Sequence, residues 1–289
     1  MNASERYGKA RVCVLLGIFG NLFLGIFKLI AGLLGNSFAV VADSVHSLSD
    51  TLTSVVVWIG LKLGKKPPDK YHPYGHGDTE PIAGLIVSII ICLVAFEFAR
   101  SSVFGMLAGE VQTPGMIALV AAVVSVFAKY WMSAFVKKVG KGINSPALLA
   151  DAAHHKSDFY TSAVVIAGVG GAMLGFAMLD RIAGMIVALW IAKIGFDVGI
   201  KNIRSLMGEI PSDHVLKDIR KVARSVKGVR NVHNVRVHYV GPNACVAMHL
   251  NIDGRKRLSE VHRIATEVEE RIKRQVEYVS SVVVHCEPD

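Results

Sequence analysis

The sequence predicts an α-helical membrane protein with six transmembrane helices, followed by a small domain that mixes helices and strands. Three observations lead to this fold class. First, 52% of the 289 residues are hydrophobic and the mean hydropathy is +0.44, which is too apolar for an ordinary soluble domain. Second, six apolar stretches are long enough to cross a bilayer, which takes about 20 residues. Third, from about Glu209 polar and apolar residues are mixed, so we assign residues 1–208 to a transmembrane domain and 209–289 to a cytoplasmic domain.

The six predicted spans follow one another along the transmembrane domain. The first apolar run is long and no small-residue cleavage site follows it, so we expect it to remain as the first span and not to be removed as a signal peptide. We predict spans at Val12–Leu34, Phe38–Leu63, Ile82–Leu107, Met116–Phe135, Ala147–Leu174 and Ile182–Ile200.

The positive charge of the chain is distributed unequally between alternate loops. The net charge is +9, which alone could indicate nucleic-acid binding. However, the loops near Gly35–Ser37 and Ala108–Gly115 carry no Lys or Arg, and the last outer loop has only Arg181. This asymmetry predicts a multi-pass protein of the cell membrane with both termini in the cytoplasm and the lipid bilayer, not nucleic acid, as its partner. The basic residues on the cytoplasmic side are Arg6, Lys9, Arg11, Lys65, Lys66, Lys70, Lys137, Lys138, Lys141, Lys201 and Arg204.

One motif occurs twice inside the apolar segments. Spans two and five each carry a His followed four residues later by an Asp, in D-S-V-H-S-L-S-D and D-A-A-H-H-K-S-D. Residues i and i+4 share one face of a helix, so each helix presents an imidazole and a carboxylate together. Two such helices supply two nitrogens and two oxygens, the donor set of a four-coordinate divalent metal. The candidate ligands are His46, Asp50, His154 and Asp158.

Further ionisable residues lie close to the two motifs. Several charges on one face of a membrane helix are hard to explain structurally, because each costs about 2.5–3.5 kcal/mol at the bilayer centre. Asp43 lies nearest the outer end of span two, where hydration would account for it, and the roles of Asp151 and His155 stay open. Spans two and five run in opposite directions, so the motifs must lie at similar depth to meet. By counting, His46 lies nearer the outside and His154 nearer the inside.

Three polar residues of spans one and four have simpler interpretations. We expect Asn21 to hydrogen-bond a neighbouring helix, as intramembrane amides do. We expect the side chains of Lys28 and Lys129 to reach along their helices toward the membrane surface.

The loop after span two reads K-K-P-P-D-K-Y-H-P-Y-G-H-G-D-T-E. Its prolines and glycines exclude a continuous helix. Asp69, His72 and His76 can converge there as a second metal site. The alternative is an interfacial loop with incidental histidines, anchored by Tyr71 and Tyr74.

The C-terminal domain has the pattern helix, strand, strand, helix, strand, which indicates an α+β domain with its helices on one face of the sheet. The strand Val246–Ile252 alternates, so its apolar residues face one way and His249 the other. A surface cluster of metal-binding histidines and scattered solvated histidines both fit this pattern. The other predicted elements are Ser212–Val226, Val235–Val240, Arg257–Val276 and Ser281–His285, the turn is Gly241-Pro242-Asn243, and the neighbouring histidines are His233, His238, His262 and His285.

The cysteines are scattered and form no C-x-x-C motif, so neither a disulfide framework nor a thiolate metal cluster is indicated. Mixed imidazole and carboxylate ligands suit Zn²⁺, Fe²⁺ and related metals, and the lack of thiolates argues against Cu⁺. The four cysteines are Cys13, Cys92, Cys245 and Cys286.

With these motifs the chain resembles the cation diffusion facilitator family of divalent-metal transporters over essentially its whole length. The matching stretches are S-F-A-V-V-A-D-S-V-H-S-L-S-D, H-P-Y-G-H-G, N-S-P-A-L-L-A-D-A-A-H-H-K-S-D and V-V-V-H-C-E-P. The resemblance implies a homodimer that exchanges cytosolic metal for protons and a ferredoxin-like fold for the cytoplasmic domain. It implies a transport site at His46, Asp50, His154 and Asp158, a loop site at Asp69, His72 and His76, and cytoplasmic ligands at His233, His249, His262, His285 and Glu287.

The chain departs from the family pattern at four positions. Members often continue G-H-G with Lys and end span six with L-M-D, where this chain has Asp78 and Gly208. The sequence therefore gives no support to a charge interlock at the membrane–cytosol junction. Glu287 stands where members often carry Asp, and Cys286 replaces a polar neighbour of the last His.

The motifs and the resemblance together predict a proton-coupled efflux transporter that works by alternating access, with no enzymatic activity and no organic cofactor. Zn²⁺ is the first candidate, both as the substrate and as a structural or regulatory ion, and Fe²⁺, Mn²⁺ and Cd²⁺ are alternative substrates. Ligating His is neutral and ligating Asp is ionised, so metal binding releases protons. An intramembrane metallohydrolase needs an open metal position and a general base, as in H-E-x-x-H, and that motif does not occur in the sequence. A metal-responsive membrane scaffold and a passive channel are further alternatives.

Overall fold

The computed structural model describes residues 3–64, 66–109, 112–142, 145–209, 213–240 and 243–289. Lys65 of the predicted basic cluster, the predicted helix start at Ser212, and Gly241 and Pro242 of the predicted turn lie outside these residues. The chain divides into two compact units, Met1–Val56 with Ile86–Val198, and Val57–Leu85 with Gly199–Asp289. The domain boundary between residues 208 and 209 stays a prediction.

Six long helices occupy the region of the six predicted spans. They are α1 (Ala3–Leu34), α2 (Phe38–Gly64), α3 (Thr79–Leu107), α4 (Met116–Gly142), α5 (Pro146–Met173) and α6 (Met178–Leu206). Four of the described helices are long and apolar enough to cross a membrane, within Arg11–Leu34, Thr79–Leu107, Met116–Gly142 and Met178–Leu206. The spans at α2 and α5 stay predictions, because these helices carry the ionisable residues of the repeated motif, which lower their hydropathy.

The start of α5 is fixed by its sequence. The Ser145 side chain accepts a hydrogen bond from the Leu148 backbone N–H at 3.4 Å, as a helix N-cap does. Pro146 follows at the first helical position, where its missing N–H costs nothing. This cap sets where the helix begins and therefore which residues of α5 face its neighbours.

Small residues allow close contact between helices of the first unit. Its buried core is built mainly of Ala and Val from α2, α3, α4, α5 and α6. Gly168 of α5 lies so close to Ala183 of α6 that a Cβ on residue 168 would overlap the alanine side chain. Between α4 and α5, the Ser133 hydroxyl donates to the Ala152 carbonyl oxygen at 2.8 Å. Close packing of this kind holds polar side chains at fixed distances inside an apolar bundle.

The beginning of α2 is held by a carboxylate from α6. Asp180 accepts a hydrogen bond from the Ser37 hydroxyl at 2.6 Å and another from the Phe38 backbone N–H at 2.6 Å. The Ala39 N–H lies 3.4 Å from the same carboxylate. The first N–H groups of a helix have no partner within the helix, so a buried carboxylate at this position satisfies them.

The C-terminal part of the second unit is the predicted α+β fold. Its elements are α7 (Asp213–Arg224), β1 (Val229–Val240), β2 (Asn243–Ile252), α8 (Leu258–Gln275) and β3 (Val279–Pro288). The strand order is β1-β2-β3, with β1 antiparallel and β3 parallel to β2. One face of β2 packs against α7 and α8, and Met248, Leu250, Ile264 and Val268 belong to this core. The predicted order of elements and the inward face of β2 are confirmed.

Strand β1 starts well before its predicted beginning at Val235. The pairing of β1 with β2 shifts register between His233 and Arg236, and Asn234 has a positive φ of 48°. Such a bulge interrupts the alternation of side chains. The first half of the strand therefore lacks the period that identifies strands in a sequence.

Gly208 ends α6 in a conformation that suits glycine. Its φ is +76°, and a Cβ at this position would collide with the Nδ1 atom of His238. The Glu209 N–H donates to the Arg204 carbonyl at 3.0 Å, which completes a helix C-terminal turn; glycine is the usual residue at such an end. The departure from L-M-D at this position therefore has a local structural reason.

Candidate metal sites

The two copies of the repeated motif meet between α2 and α5. His46 Nε2 lies 3.3 Å from Asp158 Oδ1, and His154 Nε2 lies 3.6 Å from Asp50 Oδ1. Each histidine thus faces the aspartate of the other helix. This cross-pairing is what antiparallel helices produce, because the earlier residue of one helix lies level with the later residue of the other. The depth offset expected from counting His46 and His154 does not keep the motifs apart.

The four side chains differ in their access to solvent. Ligand atoms of His46, Asp50 and Asp158 all lie within 4.8 Å of one another. His154 lies at the edge of this group, 3.9 Å from Asp158, and its side chain is 42% exposed, whereas those of His46 and Asp158 are each 2% exposed. Asp50 Oδ2 is buried and has no hydrogen-bond partner among the described residues. A buried carboxylate oxygen without a partner is costly unless something binds it.

Lys129 contacts the site directly. Its Nζ lies 2.5 Å from Asp158 Oδ2 and donates to Asn21 Oδ1 at 2.8 Å. The lysine is fully buried, so the expectation that it reaches the membrane surface is wrong. The expected hydrogen bond of Asn21 to another helix is confirmed. A lysine and a carboxylate within different apolar segments are a signal for pairing, but the sequence does not give the partner.

A second buried ion pair accounts for Asp43 and Lys28. Lys28 Nζ lies 2.9 Å from Asp43 Oδ2 and donates to the Ser47 hydroxyl at 2.7 Å. The Ser162 hydroxyl donates to Asp43 Oδ2 at 3.1 Å. Both charged residues are buried, so neither hydration of Asp43 nor extension of Lys28 to the surface is correct. The interactions of Asp43 hold α1, α2 and α5 together.

His155 is buried beside the site without bonding to it. Both ring nitrogens lack hydrogen-bond partners in the described part of the chain. The nearest carboxylates are those of Asp151, 3.9 Å from Nε2, and Asp158, 3.8 Å from Nδ1. These separations are too long for hydrogen bonds. Asp151 itself is partly exposed, and neither residue completes the group formed by the repeated motif.

The loop residues Asp69, His72 and His76 converge as expected. Asp69 Oδ1 lies 3.1 Å from His72 Nδ1, and Asp69 Oδ2 lies 3.2 Å from His76 Nε2. The backbone N–H groups of His72 and Tyr71 donate to the same carboxylate at 2.8 Å each and lower the pKa of Asp69 below its ordinary value. The ionised carboxylate and two imidazoles form a three-ligand set on an exposed loop, with ligand atoms within 4.8 Å of one another.

Three histidines form a row across the face of the C-terminal sheet that is opposite the helices. His233 pairs with His249 between β1 and β2, and His249 pairs with His285 between β2 and β3. Glu287 lies 2.8 Å from His249 Nδ1 and 3.2 Å from His233 Nε2. The hydrogen bond from His249 lowers the pKa of Glu287. Ligand atoms of His233, His249 and Glu287 lie within 4.8 Å of one another, while His285 Nε2 is 3.8 Å from the carboxylate.

His262 does not join this row. It is exposed on α8, and α8 packs on the face of the sheet formed by Met248 and Leu250. The histidine row lies on the other face, because side chains alternate along β2. The monomer therefore gives no support to His262 as a ligand in this cluster.

Two family models match the chain almost end to end. The model of the cation efflux transmembrane domain matches residues 14–207. The model of the cation efflux protein cytoplasmic domain, named ZT_dimer, matches residues 211–289.

Similar proteins match over nearly their full lengths. A protein named as an uncharacterized transporter of Methanocaldococcus jannaschii is 37% identical, with 95% of this chain and 96% of the relative covered. The manganese efflux system protein MneP of Bacillus subtilis is 32% identical, covering 99% and 98%. The magnetosome protein MamB of a Magnetospira species is 30% identical, covering 93% and 92%. A solved nickel form of a single-residue variant of the MamM CTD is 26% identical over 27% of this chain and 99% of that one, with a TM-score of 0.27.

Proposed function

This chain belongs to the cation efflux family, the cation diffusion facilitators, and is a metal cation efflux transporter, for which we propose Zn²⁺ as the substrate and protons as the exchanged ion. The family consists of transporters and not of enzymes, so the expectation of no enzymatic activity is confirmed and the metallohydrolase alternative is removed.

The observation that carries the proposal is the cross-pairing of His46 with Asp158 and of His154 with Asp50. It supports a transport site with one imidazole and one carboxylate from each of α2 and α5. Three of these residues are close enough to share an ion, and His154 at the edge supplies a fourth donor after a small displacement. An ion held there would touch both helices, so a change in their relative position would alter its coordination.

The donor set favours Zn²⁺. Two imidazoles and two carboxylates suit a small four-coordinate ion, whereas Mn²⁺ prefers more oxygen ligands in an octahedral arrangement. Mn²⁺ is the second candidate, because MneP, at 32% identity, is named as a manganese efflux protein. Fe²⁺ and Cd²⁺ accept the same donor atoms and are therefore tested together with Zn²⁺ and Mn²⁺. Flux competition among the four ions in vesicles decides between these substrates.

Proton exchange follows from the chemistry of the donors. A metal-bound imidazole has a nitrogen without a proton, and a metal-bound carboxylate is ionised, so loading the site expels protons and protonation expels the metal. A site that opens alternately to each side would thereby couple metal export to proton entry. A passive channel predicts flux that ignores the proton gradient.

Lys129 competes with the metal ion for the carboxylate of Asp158 during this cycle. Its ammonium group is 2.5 Å from Asp158 and fully buried, so it neutralises the carboxylate when no metal is bound. A divalent ion that takes Asp158 must displace this ammonium group, for which Asn21 is already a second acceptor. Lys129 thus weakens metal binding and returns to Asp158 on release. This arrangement favours rapid release of the metal ion over tight binding.

Reconstituted vesicles with a pH gradient test the proposal. We expect His154→Ala to abolish Zn²⁺ flux, and His214→Ala, which changes an exposed residue of α7, to leave it intact. Collapse of the gradient with a proton ionophore should stop flux in the unmodified protein. Undiminished flux in His154→Ala would end the site assignment, and flux that persists without the gradient would favour the channel.

The remaining assignments are proposals of the same kind. We propose that residues 1–208 form the transport domain with six spans and both termini in the cytoplasm, and that residues 209–289 form a metal-binding and dimerisation domain. The match to the family's cytoplasmic domain supports a homodimer. The loop set at Asp69 and the histidine row at His249 are proposed as further metal sites. A metal-responsive scaffold would instead show metal-dependent partner binding that survives the loss of His46.

A further inference from the structure

A groove of about 510 Å³ runs between α4 and α5 on the surface of the first unit. Its floor contains Ser133 and Ala152, where the two helices contact each other. Aromatic side chains form one wall, with the rings of Tyr130 and Phe159 6.0 Å apart and those of Phe159 and Tyr160 5.4 Å apart. The tyrosines are more than half exposed. The groove therefore faces the surroundings of the helix bundle and not its interior.

Two lysines line the same groove. Lys137 lies on α4 and Lys156 on α5, and both are exposed. Among the residues that the structure describes, neither ammonium group has an ion-pair or hydrogen-bond partner. This contrasts with Lys28 and Lys129, which are buried and fully paired.

The position of Lys156 makes an unpaired charge expensive. It lies ten residues beyond Pro146, the first residue of α5, which corresponds to about 15 Å along the helix axis. If α5 crosses the membrane as proposed, Lys156 lies near the bilayer centre, where an unpaired lysine costs about 2.5–3.5 kcal/mol on the lenient scale. Its long side chain can reach back toward the membrane surface, and in this groove that direction leads toward Lys137.

Lys137 and Lys156 lie on opposite sides of one level of the α4–α5 contact. Ser133 is level with Ala152, because its hydroxyl donates to the Ala152 carbonyl. Lys137 and Lys156 are each four residues away from that level, in opposite directions along the bundle and on the same surface. A single anionic group placed between them would therefore contact both.

We propose that this groove binds an anionic phospholipid, with the phosphate between Lys137 and Lys156 and an acyl chain along the aromatic wall. Charge complementarity selects this occupant. The groove offers two unpaired cations and an apolar, aromatic wall on the outside of the proposed transmembrane bundle, and an anionic lipid matches both parts. The lipid joins the two helices that carry Lys129 and Asp158, but its binding does not require that they bind metal.

Native mass spectrometry of the purified full-length protein tests this proposal with phosphatidylglycerol and phosphatidylcholine as probes, in the presence of a metal chelator. At roughly 1 kcal/mol per lysine, we expect the unmodified protein to prefer phosphatidylglycerol by about 30-fold. Lys137→Gln and Lys156→Gln should each reduce the preference to about fivefold, and the double variant should abolish it. Lys138→Gln, which removes a neighbouring exposed lysine that does not line the groove, should keep the full preference.

Two further measurements control for unfolding of the variants and for lipid binding elsewhere on the protein. The unfolding temperature of every variant, measured without added lipid, should equal that of the unmodified protein, since the substituted side chains are exposed. Quenching of Trp131, the residue after the groove-lining Tyr130 on α4, by phosphatidylglycerol brominated on its acyl chains should fall in the double variant. Equal retention of both lipids, or a preference that the double variant keeps, would overturn the proposal.

Discussion

Replacing Lys129 by Met is the sharpest test of whether this lysine stabilises the metal-free transport site and weakens metal binding. The substitution keeps most of the volume of the side chain and removes its charge. In the metal-free protein it leaves Asp158 buried without its closest partner, and breaking a buried pair in this way costs about 3–5 kcal/mol. We therefore expect the metal-free variant to unfold at a clearly lower temperature than the unmodified protein.

The same substitution should strengthen metal binding. Two unit charges 4 Å apart interact by about 4 kcal/mol at an effective dielectric constant of 20, and a divalent ion doubles that repulsion from the ammonium group. Movement of the lysine toward Asn21 relieves most of it. If about 1.4 kcal/mol remains, the dissociation constant of Zn²⁺ falls about tenfold in the variant. Zn²⁺ should then restore more of the lost thermal stability than it adds to the unmodified protein.

Isothermal titration calorimetry and thermal unfolding with and without Zn²⁺ measure both effects. Lys28→Met is the matched control, because it removes an equally buried lysine whose carboxylate partner, Asp43, is not one of the converging ligands. It should lower stability without tightening metal binding. A folded Lys129→Met protein that binds Zn²⁺ no more tightly than the unmodified protein would refute the competitor role.

Three further predictions concern the second unit. The pKa of Glu287 should lie below its ordinary value of 4.5, because His249 donates a hydrogen bond to the carboxylate. The contribution of this carboxylate to stability is therefore present at neutral pH and is lost as the pH falls through the lowered pKa, and NMR titration of the side-chain carboxyl carbon gives the midpoint. Glu287→Gln should weaken metal binding to the histidine row by about tenfold, because it removes a charged ligand. Gly208→Ala should lower the unfolding temperature, because residue 208 has a positive φ and no room beside His238, whereas Gly142→Ala, which meets nothing within 4 Å, should not. His262→Ala should leave metal binding to the row unchanged in calorimetry, and a loss would show that a second copy brings this residue to the site.

The sequence was most informative where a short-range rule determines the structure. The H-x-x-x-D spacing places His46 and Asp50 on one face of α2 whatever the helix packs against, and the same rule holds for α5. Alternation along β2 separates His249 from the core residues in the same way. These rules use only the geometry of one element, so they survive without knowledge of its neighbours.

Predictions failed where the outcome depends on a neighbouring helix. The sequence around Lys28 and Lys129 predicts extension to the membrane surface, because it does not show their neighbours, and in the fold each lysine meets a carboxylate on another helix. The choice between reaching water and pairing is decided by the rotation of the adjacent helix, which periodicity does not give. The first half of β1 was missed for a related reason, since the bulge near Asn234 is a property of its pairing with β2.

The carboxylate of Asp180 limits how the first turns of α2 and α6 can move relative to each other. It accepts hydrogen bonds from the Ser37 hydroxyl and the Phe38 backbone N–H at the start of α2, and Asp180 itself belongs to the first turn of α6. If α2 tilts during the proposed transport cycle, we expect the start of α6 to move with it, because Asp180 connects the two helices. The displacement would then fall between α2 and α5, which supply the two His–Asp pairs, and would change the coordination of a bound ion.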